Sequence, residues 1–158
     1  MKISSRVKII RQLSALLFMT LITTTSFASD ISVSNALVRA VPEGMINSAA
    51  FMVLKNNSAQ DRSIVSASSN ISKVVELHTH TKEGGMMKMR QIDAIAIKSG
   101  SETILKPGGL HIMFIGLKHG LKMGDKVNLE LVIDDGSKLD LIVPVKMIAG
   151  MHKKAMHK

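Results

Sequence analysis

Between Ile31 and Val145 apolar and polar residues alternate in short runs, with Gly, Pro, Asn and Asp falling between the runs. A repeat of two is that of an extended strand, whose successive side chains point to opposite faces; a helix would bring its apolar stripe back every three to four residues. The pattern predicts strands at 31–39, 49–55, 62–67, 73–80, 87–92, 95–98, 103–105, 111–117, 126–133 and 138–145. Turn chemistry separates them at Pro42-Glu43-Gly44, Asn56-Asn57-Ser58, Gly84-Gly85, Pro107-Gly108-Gly109 and Asp134-Asp135-Gly136. In the last two runs, Val127, Leu129, Leu131 and Ile133 are answered by Leu139, Leu141, Val143 and Val145 across the Asp134-Asp135-Gly136 turn, the pattern of a hairpin with one face in the core. Many short strands with such spacing imply an all-β chain, an antiparallel sandwich or barrel.

The first 28 residues follow a different logic. A basic stretch (Lys2, Arg6, Lys8, Arg11) precedes an apolar run from Leu13 to Ile22, and Ser26 and Ala28 stand where a signal peptidase reads small residues. The expectation is a signal peptide at 1–28 cleaved after Ala28, an exported β-sandwich domain at 29–145, and a mobile Met-, His- and Lys-rich tail at 146–158. An uncleaved amino-terminal anchor is the other reading of the leader. No later run approaches the ~20 apolar residues of a spanning helix, so no stable membrane insertion is expected after cleavage.

Without the leader the chain carries 17 basic and 12 acidic residues, a net charge of +5. Export argues against nucleic acid as the partner, and so do the aromatics, since Phe51 and Phe114 alone remain after the leader. An acidic protein surface suits the charge better. The 158 residues contain no cysteine. That excludes disulfides, blue-copper electron transfer, thiol redox chemistry and cysteine nucleophiles. With no Gly-x-Ser-x-Gly elbow either, an enzyme is not expected.

Methionine is abundant where cysteine is missing, with twelve in the chain. His111 and Met113, two residues apart in a strand, project from one face. Residues 73–92 fold naturally as a hairpin about Glu83-Gly84; pairing His78 with Met89 then sets His80 opposite Met87. In that arrangement Val75 and Leu77 face the core, while Glu76, His78 and His80 face outward or toward a metal. Two imidazoles and two thioethers form a soft, neutral set that favours Cu(I) over the hard divalent ions. Taken singly, each of these residues has an ordinary explanation, methionine as core filler and histidine as a surface residue.

The spacing of His78, Met89, His111 and Met113 resembles the H-x10-M-x21-H-x-M motif of the periplasmic Cu(A) chaperone family. Its surroundings are similar too, in Val75-Glu76-Leu77-His78, in Gly85-Met86-Met87-Lys88-Met89-Arg90, in Leu105-Lys106-Pro107-Gly108-Gly109 and in the run from His111 to Leu117. The resemblance covers about residues 34–145. It implies a cupredoxin-like Greek-key sandwich with a surface-near Cu(I) site. It also implies delivery of copper toward the Cu(A) centre of cytochrome c oxidase, with subunit II of that oxidase or a Sco-type thioredoxin-like copper protein as partner.

Further soft groups surround these four. His80, Met86 and Met87 could serve as alternate ligands or an entry path, or be ordinary hairpin-tip residues. Met151, His152, Met156 and His157 in the tail could gather Cu(II) or a second Cu(I), or belong to a solvated basic segment. His119, beside Gly120, reads as a loop residue. Copper sequestration for tolerance and a metal-free structural sandwich stand as alternative functions. Because both imidazoles must be neutral to bind, copper affinity is expected to weaken as pH falls below ~6.5, the ordinary histidine value.

Overall fold

The alternation resolves into ten strands in a computed structural model that describes residues 30–148. In chain order they are β1 (Ile31–Arg39), β2 (Asn47–Asn56), β3 (Arg62–Ser68), β4 (Ser72–Glu83), β5 (Met86–Gln91), β6 (Ile95–Ile97), β7 (Glu102–Leu105), β8 (His111–Leu117), β9 (Lys126–Ile133) and β10 (Lys138–Lys146). There is no helix among the described residues. The leader and the tail residues Met151, His152, Met156 and His157 lie outside the described residues.

The strands follow one hydrogen-bonded order, β5-β4-β8-β2-β1-β10-β9-β3-β6, with β7 also paired to β2. One half of this ladder, from β5 to β1, packs against the other, from β10 to β6, over a single apolar core. Ala50, Met52 and Leu54 of β2, Leu77 of β4 and Ile112 and Phe114 of β8 enter it from one side. From the other side come Ile64, Ile95, Ile97 and the alternating Val127, Leu129, Leu131 and Ile133 of β9. The β9–β10 hairpin has the register that its alternation predicts, with Leu139, Leu141 and Val143 opposite Leu131, Leu129 and Val127.

A buried amide links the halves. Asn56, fully buried at the end of β2, donates to the carbonyls of Gln60 and Ile97 at 2.7 and 3.0 Å and accepts from the amide and hydroxyl of Ser58. A buried polar side chain is tolerated only when its hydrogen bonds are made, and here they are.

The expected sandwich differs from the structure in two respects. It is not wholly antiparallel, because β1 and β10 run parallel where Val38 and Arg39 meet Val145 and Lys146. Alternation specifies which face a residue takes but not the direction of its neighbour, so this short pair left no trace in the sequence pattern. The same pairing carries β10 through Lys146, one residue into the segment expected to be tail, with Ala40 donating to the Lys146 carbonyl at 2.9 Å.

Local irregularities also have local causes. β1 carries an extra residue between Ser34 and Leu37, where three steps along β1 answer two along β2. Asn35 absorbs the bulge at φ 53°, a left-handed conformation that asparagine tolerates better than most residues.

Phe114 is fully buried and belongs to the strand whose other face carries His111 and Met113. Phe114→Ala is therefore expected to lower stability by about 3–5 kcal/mol, read as a reduced urea midpoint. A loss under 1 kcal/mol would show that β8 is not the core strand described here.

Candidate metal centre

β8 is flanked by β4 on one side and β2 on the other, and this position assembles the site. On the β4 side His111 stands directly opposite His78, and Met113 opposite Glu76. On the β2 side Met113 faces Ala49, and the His111 and Phe51 rings lie 6.3 Å apart. All these side chains leave the sheet on the face away from Leu77, Ile112 and Phe114, as strand alternation requires. The His78 and His111 ring centroids are 5.7 Å apart, and that of His80 is 5.2 Å from His111.

An interruption in the sheet shapes the mouth of the site. β7 and β8 both run along β2, but between Ala50 and Met52 of β2 the partner chain passes from Ile112 to Leu105, seven residues against two. The surplus is the loop 106–110, closed by hydrogen bonds between Lys106 and Leu110 and between Gly109 and Lys106. Its Gly109 carbonyl accepts from Nδ1 of His111 at 2.9 Å and lies 3.4 Å from Nδ1 of His80.

The β4–β5 hairpin departs from the expected register. His78 pairs with Gln91 and His80 with Met89, while Met87 lies opposite Lys82. The hairpin therefore does not turn about Glu83-Gly84: the loop is Gly84-Gly85, closed by the Glu83–Met86 pair. Both glycines have positive φ, 56° and 83°, as a two-residue turn matching the strand twist demands. The displacement is two residues, an even number, so Met87 and Met89 keep the face of His78 and His80. Met86 lies on the opposite face, away from the histidines.

On that opposite face Arg90 grips Glu83 through Nε and Nη2 at 2.6 and 2.7 Å. This ion pair, with desolvation opposing it and Lys88 assisting, holds the Glu83 carboxyl down at about 2.

A cavity of about 280 Å³ opens on the histidine face, lined among others by Arg39, Phe51, His80, Met89, His111 and Met113. His111 is only 4 % exposed and Met89 46 %, so the site runs from buried imidazole to solvent-facing thioether. His78 borders His111 without lining the cavity itself. His119 is a loop residue whose Nδ1 lies 2.8 Å from the Gly120 carbonyl.

Hydrogen bonding distinguishes the two nitrogens of each facing ring. His78 Nε2 lies 2.7 Å from a Glu76 carboxylate oxygen, while its Nδ1 is buried with no hydrogen-bond partner. An orphaned imidazole nitrogen in a buried site is a cost unless something binds there. His111 has the reverse arrangement, with Nδ1 held by Gly109. Among the described residues no group of three His, Cys, Asp or Glu is placed to hold a metal ion. A metal on this face would need the thioethers of Met89 or Met113, which is the chemistry of a soft ion.

The Gly109 carbonyl, Phe51, Arg39 and the Glu76–His78 bond were not anticipated as parts of the site. Only the last left a signal, since residues two apart in a strand share a face.

Burial lowers the pKa of His111 below the ordinary histidine value, with neighbouring His80, His78 and Arg39 acting in the same direction and the Gly109 carbonyl against them. Its folded-state pKa is therefore below that of the unfolded chain, near 6.5. The folded apo-protein binds fewer protons in the interval between the two values. Stability is full above pH ~6.5 and falls as pH drops from there through the folded pKa. An NMR titration should place the His111 midpoint below 6.5; a midpoint at or above 6.5 would contradict the burial described.

Residues 31–145 match the family model described as "Putative lipoprotein LpqE-like". The "Putative lipoprotein Lxx21020" of Leifsonia xyli subsp. xyli is 37% identical over 127 residues, 80% of this chain and 75% of that protein. "Uncharacterized protein RP573" of Rickettsia prowazekii is 31% identical over 102 residues, 64% of this chain and 55% of that one. Among solved structures, CuI-DR1885 from Deinococcus radiodurans is 33% identical with a TM-score of 0.62, over 80% of this chain and 87% of the other. The copper-bound PCuAC domain of PmoF2 shares the fold at a TM-score of 0.65 with 18% identity, over 76% of this chain and 95% of that domain. The architecture is thus the cupredoxin-like β-sandwich, and the chain belongs to the LpqE-like, PCuAC-type family.

Proposed function

We propose that this chain is an exported copper chaperone that holds one Cu(I) through His78, Met89, His111 and Met113. The observation that carries the reading is the cross-strand pair of His78 and His111, with rings 5.7 Å apart, beside a cavity that Met89 and Met113 line. Four neutral ligands leave the ion its single positive charge. A partner offering anionic thiolates would bind it more tightly, which favours release to such a partner without turnover. Export is supported by the leader at 1–28 and by the lipoprotein name of the Leifsonia relative.

The receiving protein in this proposal is subunit II of cytochrome c oxidase or a Sco-type thioredoxin-like copper protein. Support comes from the motif resemblance and from the net charge of +5 after the leader, which suits an acidic partner surface. A storage role is the second reading. It is favoured by Met86, Met87 and Met147, all more than half exposed and available for further ions, together with the tail residues Met151, His152, Met156 and His157.

Cu(I) competition with a chromophoric chelator tests the site and its capacity together. Wild type is expected to take one tightly held ion. Met113→Ala should weaken binding by at least ~10-fold, comparable to the loss of even an outer-shell partner at a metal site. Unchanged affinity in that variant would remove Met113 from the ligand set, and several tight ions per chain would favour storage. Transfer from the loaded protein to apo subunit II, followed by the absorption of the Cu(A) centre, tests delivery.

A further inference from the structure

Two facts about His78 belong together. Its Nε2 lies 2.7 Å from Glu76 Oε2, and its Nδ1 is buried with no partner, in a residue only 9 % exposed. A carboxylate can only accept a hydrogen bond, so the proton of a neutral His78 ring must sit on Nε2. That leaves the Nδ1 lone pair free. For His111, on the facing strand, the acceptor is the Gly109 carbonyl of the loop 106–110; it places the proton of a neutral His111 on Nδ1 and frees Nε2. The two imidazoles are thus held in opposite tautomers by two different acceptors.

We infer that Glu76 is a positioning residue for copper: it fixes the tautomer and orientation of His78 so that Nδ1 is the donor atom. Metal-bound histidines commonly give their second N–H to a carboxylate or carbonyl, which orients the ring and raises its basicity. Strand geometry gives Glu76 a further part. It stands directly opposite Met113, so the Glu76 and Met113 side chains leave the sheet on the same face. With neutral ligands alone the bound ion keeps a full positive charge; the Glu76 carboxylate supplies the opposite charge without entering the ligand shell.

The inference rests on the Cu(I) reading above, yet it can be tested without copper. In the full-length apo-protein above pH 7.5, long-range 1H–15N correlation spectra should show His78 protonated on Nε2 and His111 protonated on Nδ1. Glu76→Ala should release His78 to a mixture of tautomers and weaken Cu(I) binding about 10–100-fold. Glu76→Gln retains an acceptor oxygen but no charge. It should restore the His78 tautomer and recover part of the lost affinity, a rescue that a merely structural role would not produce.

A wild-type His78 protonated on Nδ1 would overturn the inference, as would wild-type copper affinity in Glu76→Ala. If Glu76→Ala does not fold, the wild-type tautomer and the Glu76→Gln affinity still decide it. Failure of the copper-site reading itself looks different: Met113→Ala would then keep its affinity while the apo-protein tautomers remained as described.

Discussion

Everything in the site depends on the alternation of one strand. β8 sends Ile112 and Phe114 into the core and His111 and Met113 out of the other face. It is hydrogen-bonded on both edges, to β4 and to β2. Burying a large apolar side chain contributes about 1.5–3 kcal/mol, so the two inward residues anchor the backbone on which the two outward ones stand. The imidazole and the thioether thus inherit the rigidity of the core, and little ordering would remain to be done if they took an ion. Placing donor groups on strands rather than loops has that advantage.

The other donors are set by turns. Gly84-Gly85 permits a two-residue loop whose left-handed backbone matches the twist of β4 and β5, and that loop decides which residues of the hairpin oppose one another. The loop 106–110 works by interruption: it breaks a long run along β2 into β7 and β8 and lifts a carbonyl over the histidines. Between these turns the face carries an imidazole pair with unlike hydrogen-bond partners, a thioether on either side and a carboxylate behind. Imidazole and thioether donors together suit a soft ion better than a hard one.

Much of this was legible in the residues. Alternation located all ten strands, three of them to the residue; where one face lies in the core, as in β9, the pattern cannot slip without exposing it. His-x-Met in 111–113 and the facing of His78 toward the site followed from the same rule. The hairpin register did not, because Glu83-Gly84 and Gly84-Gly85 are both plausible turns until the backbone shows two positive φ values in succession. The error was harmless to the face and wrong about the neighbour, giving Met89 to His78 when it belongs opposite His80. The parallel β1–β10 contact and the surroundings of His111 were invisible for a different reason. They join segments far apart in the chain, and no local periodicity encodes such meetings.

β5 is the outermost strand of its half, bonded to β4 and, among the described residues, to no strand beyond, and all its residues are exposed. Of the four proposed donors, Met89 is the one carried on this border. Strand edges open more readily than interior strands, because fewer hydrogen bonds and less buried surface must be given up. The arrangement is therefore graded. His78, His111 and Met113 stand on strands held from both sides, whereas Met89 stands on the edge strand, where fewer contacts hold it. An ion held by all four would lose its grip in a fixed sequence, outermost sulfur first, and an incoming thiolate would meet the vacated position before any other. On the proposed function, capture and surrender would both take place at this edge, with the interior undisturbed.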